Sequence, residues 1–251
     1  MVHFVGAGPG APDLITLRGC ELLRAADVVI YAGSLVNPAL LSYTRADCEH
    51  HDSAYLTLEE IVALMEKAEA AGKTTVRLHT GDASLYGAIR EQMDALRARG
   101  IDFDVTPGVS SFCGAAASLR AEYTLPGVSQ SLILTRLAGR TAVPEREKLR
   151  SLASHGASMA VFLSASMLAQ LRDELLSGGA YTADTSAAIV YKATWPEEKI
   201  VRCTVGTLPE AGDGIRKTAL VLVGGFLDGE GYEKSRLYDQ SFTTEYREGT
   251  R

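Results

Sequence analysis

Short apolar runs alternate with longer amphipathic stretches through the first half of this chain. Residues 2–5, 28–31, 74–78 and 103–106 read as strands, and residues 17–26, 58–71, 85–99 and 112–119 carry the spacing of helices. Such alternation predicts parallel strands joined by helical crossovers. The pattern is sharpest at residues 58–71, where Leu58, Ile61, Val62, Met65 and Ala68 form one apolar face. Thr57, with Glu60 three residues on, predicts a capping box at the start of that helix, and Gly72 marks its end.

The pattern pauses at Thr124-Leu125-Pro126-Gly127, which reads as a connector. Beyond it, residues 131–134, 159–163, 187–191, 199–205 and 220–223 read as strands, and 145–153 and 167–176 as helices. Strands 187–191 and 199–205 have no helix between them, so a hairpin within a mixed sheet is expected. From Gly229 the chain is polar and aromatic without periodicity, a tail suited to packing on another surface. The fold class expected is α/β, with two unlike α/β domains: 1–122 with a mainly parallel sheet, 123–228 with a mixed sheet, and 229–251 as tail.

Two glycine turns stand out against this pattern. Gly6-Ala7-Gly8-Pro9-Gly10 follows the first strand, and Gly81-Asp82-Ala83-Ser84-Leu85-Tyr86-Gly87 follows the third. Both lie at carboxyl ends of expected parallel strands, where open α/β sheets bind ligands. Gly6, Gly8 and Ala11 satisfy the G-x-G-x-x-A pattern of dinucleotide sites. Pro12, however, pushes Ala11 out of the helical region and Pro9 stiffens the loop, so the next helix should start only near Thr16. The acidic residue that would hold a ribose after residues 28–31 is also missing, where Tyr31-Ala32 stands instead. A proline-braced loop lining a cavity is the better reading. Ser110 and Ser111, after Pro107-Gly108, open a helix and offer hydroxyls and free N–H groups to a polar ligand edge or to the helix itself.

Composition narrows the class. The 251 residues carry a formal net charge of −6, which argues against a general nucleic-acid binder. Cys20, Cys48, Cys113 and Cys203 lack C-x-x-C spacing, so free thiols in a reducing compartment are expected rather than a disulfide framework or a zinc site. No basic apolar leader opens the sequence and no apolar run approaches ~20 residues, so a cytoplasmic location without membrane contact is expected. His50-His51-Asp52 suggests a metal cluster at first sight. In an extended segment neighbouring side chains face opposite ways, and no metal is expected there.

Three segments together resemble the tetrapyrrole methylases: residues 5–19, the Gly81-Asp82 loop, and Val105-Thr106-Pro107-Gly108-Val109-Ser110-Ser111. The match runs in order over nearly the whole chain. Within the family, residues 30–36, 79–89 and 236–247 are most similar to the members that methylate a precorrin at carbon 11 in cobalamin synthesis. Ala83 and Gln240 each stand where the family usually has proline, and neither removes a functional group. The resemblance implies a homodimeric enzyme that binds S-adenosylmethionine in a cleft between two domains and methylates a tetrapyrrole. Cofactor contacts implied by motif are Pro9, Thr80, Gly81, Asp82, Leu85, Ser110, Ser111, Leu163, Ala193, Thr218 and Ala219.

On the macrocycle side, Tyr31, Ser34 and Asp52 lie at expected strand ends, although the Tyr31 ring equally suits capping a core. Asp82 suits either an ammonium or hydroxyl of the cofactor or an Asx turn onto its own backbone. Arg136, Arg140 and Lys192 suit substrate carboxylates or plain surface charge, and Trp195 suits a covering or packing role. Rival readings are a sibling methylase acting at another ring position or on uroporphyrinogen III, a dinucleotide-dependent oxidoreductase, and a non-catalytic S-adenosylmethionine binder.

Overall fold

The computed structural model describes residues 1–139 and 141–250, and the chain falls into two compact units. The first holds Met1–Ala115 together with Lys192–Glu198, and the second holds Ala116–Tyr191 and the chain from Lys199 onward. The sequence pattern placed the change of unit after residue 122 and did not foresee the return of Lys192–Glu198 to the first.

A five-stranded, wholly parallel sheet forms the first unit. Its strands are β1 (Val2–Gly6), β2 (Val28–Tyr31), β3 (Glu49–Asp52), β4 (Thr75–His79) and β5 (Phe103–Thr106), in the order β3-β2-β4-β1-β5. Helices α1 (Leu17–Ala25), α2 (Leu58–Ala70) and α3 (Ile89–Ala98) connect them, and α4 (Ser111–Leu119) follows β5. Alternate strand residues feed two cores, as the period of a strand requires. Phe4 and Ile30 pack with Met65 of α2 and Leu96 of α3 on one face. Val5, Val29 and Leu78 pack with Leu23 of α1 and Leu40 on the other.

Local chemistry sets the helix starts. The capping box is present, with Thr57 accepting from the Glu60 amide and Glu60 accepting from the Thr57 amide. Helix α1 begins after Thr16, whose hydroxyl accepts from the Gly19 amide, because Pro12–Leu14 forms only a short 3₁₀ turn. Helix α3 starts at Ile89, four residues later than the sequence pattern predicts. Tyr86 and Ala88 have φ of 58° and 49°, so a right-handed helix cannot run through them and α3 starts only after Ala88.

The second unit is a mixed sheet in the order β6-β7-β10-β8-β9. Strands β6 (Leu132–Arg136) and β7 (Ser158–Phe162) are parallel, and β10 (Ala219–Val223) runs antiparallel to β7 and to β8 (Ser186–Tyr191). The expected hairpin pairs β8 with β9 (Lys199–Thr204), setting Ala187 opposite Cys203. Helices α5 (Leu149–Ala153), α6 (Leu168–Ser177) and α7 (Leu208–Ala211) complete the unit. The helix expected over 145–153 is broken at Lys148, whose extended backbone (ψ 139°) separates a 3₁₀ turn from α5. Among the described residues no helix is long and apolar enough to cross a membrane.

Two measurements probe these elements. Thr57→Ala should lower the unfolding free energy of the first unit by about 1 kcal/mol in denaturant titration, because it strips the cap from α2. In the second unit, buried Tyr181 donates to the Ala157 carbonyl, and burial pushes its phenol up to about 12 from 10. The folded state favours the neutral phenol, so its stabilisation is complete below pH 10 and is lost as pH rises from about 10 to about 12. Tyr181→Phe should therefore remove that part of the alkaline destabilisation, read by denaturant titrations at pH 9 and 11.

Candidate functional site

The site is built on backbone contact. Gly8 and Gly81 form a two-way bridge, the Gly8 amide donating to the Gly81 carbonyl at 3.2 Å and the Gly81 amide to the Gly8 carbonyl at 2.9 Å. Behind them, a Cβ on Gly6 would lie 2.5 Å from the Gly108 Cα, and one on Gly108 would lie 2.2 Å from the Gly81 carbonyl oxygen. The loops after β1, β4 and β5 thus meet at distances only glycine allows. Gly81 is required for a different reason. There is room beside it, but its φ of +60° disfavours any other residue.

Asp82 pins this junction. One carboxylate oxygen accepts from the Ser84 amide (2.8 Å) and the Ser84 hydroxyl, and the other accepts from the Gly108 amide at 2.8 Å. The Asx turn read from the sequence is there, and it extends into a tie across two loops. Burial alone would raise the Asp82 carboxyl, but the hydrogen bonds from Ser84 and Gly108 outweigh it and hold the group below the usual carboxylate range.

The segment Lys192–Glu198 braces the first loop. Trp195 Nε1 donates to the Pro9 carbonyl at 3.2 Å, and the Thr194 hydroxyl accepts from the Ala11 amide at 3.0 Å. The indole lies where a Cβ on Gly10 would be, only 2.0 Å from that position, and Asn37 Nδ2 reaches the Gly10 carbonyl at 2.9 Å. Ala193 is buried in the same segment. With the Gly8 amide engaged by Gly81 and α1 starting only at Leu17, this loop does not present the open helix N-terminus that a pyrophosphate needs.

Around this junction the structure gathers Pro9, Thr80, Gly81, Asp82, Leu85, Ser110, Ser111 and Ala193 in the first unit. Ser110 is buried, and its carbonyl accepts from the Cys113 and Gly114 amides, opening α4. Tyr31, Ser34 and Asp52 lie at or just beyond the carboxyl ends of β2 and β3, on the same edge of the sheet. The Tyr31 ring packs against a core cluster. Asp52 accepts from the Gly33 and Ala54 amides, both at 2.9 Å, and so shapes the turn after β2.

The remaining residues lie elsewhere, apart from Lys192, which belongs to the segment bracing the first loop. Leu163, Thr218 and Ala219 belong to the second unit, Leu163 just past β7 and Thr218 just before β10. Antiparallel pairing of Val221 with Val161 brings both to one end of their sheet. Leu163 is 64% exposed at a φ of 54°, and Thr218 has a φ of 57°. Arg136 turns its guanidinium to the carbonyls of Leu137, Thr141 and Ala142. Lys192 lies 4.8 Å from the centre of the Trp195 ring and 3.5 Å from Glu197. Arg140 lies outside the described residues. In β3, His50 Nε2 is bonded to the Thr44 hydroxyl at 2.9 Å while His51 approaches Glu49 at 3.7 Å.

Two groups escaped the sequence reading. Arg77 and His79 lie within fully buried β4 and line a cavity of about 300 Å³ beside Thr80, Leu85 and Gln92. The available signal was a cation and an imidazole two residues apart in a strand otherwise rich in buried apolar positions, hence on one face.

Comparison with known proteins agrees with this architecture. The family profile of tetrapyrrole (corrin/porphyrin) methylases matches residues 1–209. The cobalt-precorrin-4 C(11)-methyltransferase of Methanocaldococcus jannaschii is 52% identical over 98% of this chain and 95% of its own length. An X-ray structure of a cobalamin biosynthetic enzyme, cobalt precorrin-4 methyltransferase, superposes with a TM-score of 0.88 at 48% identity, covering 90% of this chain and 95% of that one. The uroporphyrin-III C-methyl transferase of Thermus thermophilus complexed with S-adenyl homocysteine gives a TM-score of 0.77 at 26% identity, covering 91% and 99%. With this extent of match and the interlocked glycine loops in place, the chain belongs to the tetrapyrrole (corrin/porphyrin) methylases.

Proposed function

We propose that this enzyme transfers a methyl group from S-adenosylmethionine to carbon 11 of precorrin-4, or of its cobalt form, in cobalamin biosynthesis. The observation that carries the reading is the junction of three side-chain-free loops at the carboxyl edge of a parallel sheet, in a chain 52% identical to a cobalt-precorrin-4 C(11)-methyltransferase. In this reading it works as a cytoplasmic homodimer on a small tetrapyrrole, without a nucleic-acid or membrane partner.

The donor's sulfonium supplies an electrophilic methyl and a neutral leaving group, so the protein's task is positioning rather than proton transfer. Orientation of two reactants can contribute about 7–11 kcal/mol to lowering such a barrier. Pro9, Thr80, Gly81, Asp82, Leu85, Ser110, Ser111 and Ala193 are the first-unit contacts assigned to the cofactor. Their fit rests on the junction itself: because Gly6 and Gly108 carry no Cβ and Gly81 takes up a φ of +60°, the loops close into a rigid backbone surface. Asp82 fixes the loop after β4 against the one after β5, and the oxygen that accepts from the Gly108 amide retains a lone pair for a cofactor donor. Tyr31, Ser34 and Asp52 are assigned to the macrocycle side, with Asp52 shaping the turn that carries Ser34.

Product analysis tests the reaction. With methyl-¹³C S-adenosylmethionine and precorrin-4, NMR should place the new methyl on carbon 11, whereas label at another ring carbon would reassign the enzyme to a sibling activity. Calorimetry with S-adenosylhomocysteine tests the junction. Gly108→Ala drives a methyl into the Gly81 carbonyl, and Asp82→Asn sets an amide NH₂ against an N–H donor, so each should weaken binding at least roughly tenfold while circular dichroism stays native. Wild-type affinity in both variants would remove the junction from the cofactor site.

A further inference from the structure

Arg77 and His79 are 5% and 6% exposed, and the protein leaves both polar groups incompletely satisfied. Arg77 Nε donates to Gln92 Oε1 at 3.0 Å and its Nη1 to the Ile30 carbonyl at 3.2 Å, two neutral acceptors. Among the described residues no carboxylate forms an ion pair with it, and its Nη2 has no protein partner. His79 Nε2 is buried without a hydrogen-bond partner. Buried cations are ordinarily paired, because a lone charge away from water is costly. Burial lowers Arg77 only to about 10, so it is a cation at neutral pH, whereas His79 falls to about 3 and is neutral. A neutral imidazole with its proton on Nε2 is a hydrogen-bond donor.

Both side chains line the cavity of about 300 Å³, whose apolar walls include Leu35, Leu58, Ile61 and Leu85. Glu91 also borders it but is exposed and makes no ion pair with Arg77. The space is ample for one acid side chain and too small for a tetrapyrrole ring. We propose that this cavity is a carboxylate subsite, in which the Arg77 guanidinium and the His79 imidazole receive one acid group of a ligand whose body stays outside.

This rests on the reading of the protein as a tetrapyrrole methylase, which supplies two sources of that chemistry: an acid side chain of the macrocycle, or the amino-acid carboxylate of S-adenosylmethionine. If the macrocycle is the source, the subsite has a consequence for specificity. A tetrapyrrole presents several similar edges, and a single anchored acid beside Thr80 and Leu85 selects which edge faces the glycine loops.

The test compares Arg77→Met, charge-retaining Arg77→Lys and His79→Leu with the wild-type enzyme. Precorrin-4 binding is followed by absorbance, S-adenosylhomocysteine binding by calorimetry, and binding of ¹³C-carboxyl propionate by NMR line broadening. Loss of the buried charge should weaken tetrapyrrole binding roughly 30-fold, with Arg77→Lys recovering part of it and His79→Leu losing less. The affinity for S-adenosylhomocysteine should stay the same. A loss confined to S-adenosylhomocysteine would support the subsite and assign it to the cofactor's carboxylate. Propionate should broaden with the wild type and not with Arg77→Met, a result that holds even if precorrin-4 is not the substrate. Equal propionate and ligand binding in folded Arg77→Met and His79→Leu would overturn the proposal, and should Arg77→Met not fold, the Arg77→Lys and His79→Leu comparisons decide in its place.

Discussion

The close approach of three backbones at the carboxyl edge of the first sheet is the constraint on which the site depends. Gly6, Gly81 and Gly108 come from three loops separated by up to a hundred residues, yet their main chains touch where side chains would stand. Hydrogen bonds in both directions between Gly8 and Gly81 fix the first two loops, and Asp82 ties the third. The parallel sheet makes this possible. Registering Gly6 beside His79 and Val5 beside Thr106 delivers the three loops to one edge at one height.

Rigidity at that edge is reinforced from a distant part of the sequence. Trp195 and Thr194 clamp the Pro9–Ala11 stretch, so the first loop is held between its own sheet and a segment that arrives after β8. Thr194 has a φ of 66° and Lys192 one of 48° within this segment. Non-glycine residues in that region carry a strain cost, retained only where the surroundings over-determine the geometry. The indole over Gly10 and the Glu198 carboxylate accepting from the Thr194 amide supply that determination.

Most of the fold was legible because it depends on periodicity and local punctuation. Phe4, Ile30 and Met65 announce themselves by spacing, Thr57 with Glu60 announces a helix start by short-range hydrogen bonding, and Pro12 announces that α1 starts only near Thr16. The late start of α3 was not legible, since it follows from left-handed backbone at Tyr86 and Ala88, residue types that carry no local signal for it. In the site, Gly6, Gly8 and Gly81 were visible as turn residues, and the candidate set around them was reached through motif. Gly8 and Gly81 are held to glycine by their positive φ, whereas the reason Gly6 must be glycine, contact with Gly108, is a long-range fact that no window of sequence contains. Arg77 and His79 were missed for the same cause: a strand pattern reports which positions are inside, and says nothing of what a buried cation or imidazole faces.

Those two residues also bear on the chemistry. An imidazole lowered to about 3 does not exchange protons near neutral pH, and a guanidinium lowered only to about 10 does not release one. The polar groups beneath the glycine loops are therefore fixed in charge across the physiological range. A reaction needing a general base would be poorly served by such a pair. Methyl transfer from a sulfonium is well served, because it requires an unchanging electrostatic frame that holds the acceptor carbon in line while a neutral leaving group departs. Burial in a strand centre, with the neighbouring Arg77 charge, keeps His79 neutral, whereas Arg77 stays charged in spite of the same burial because a guanidinium starts so far above neutral pH.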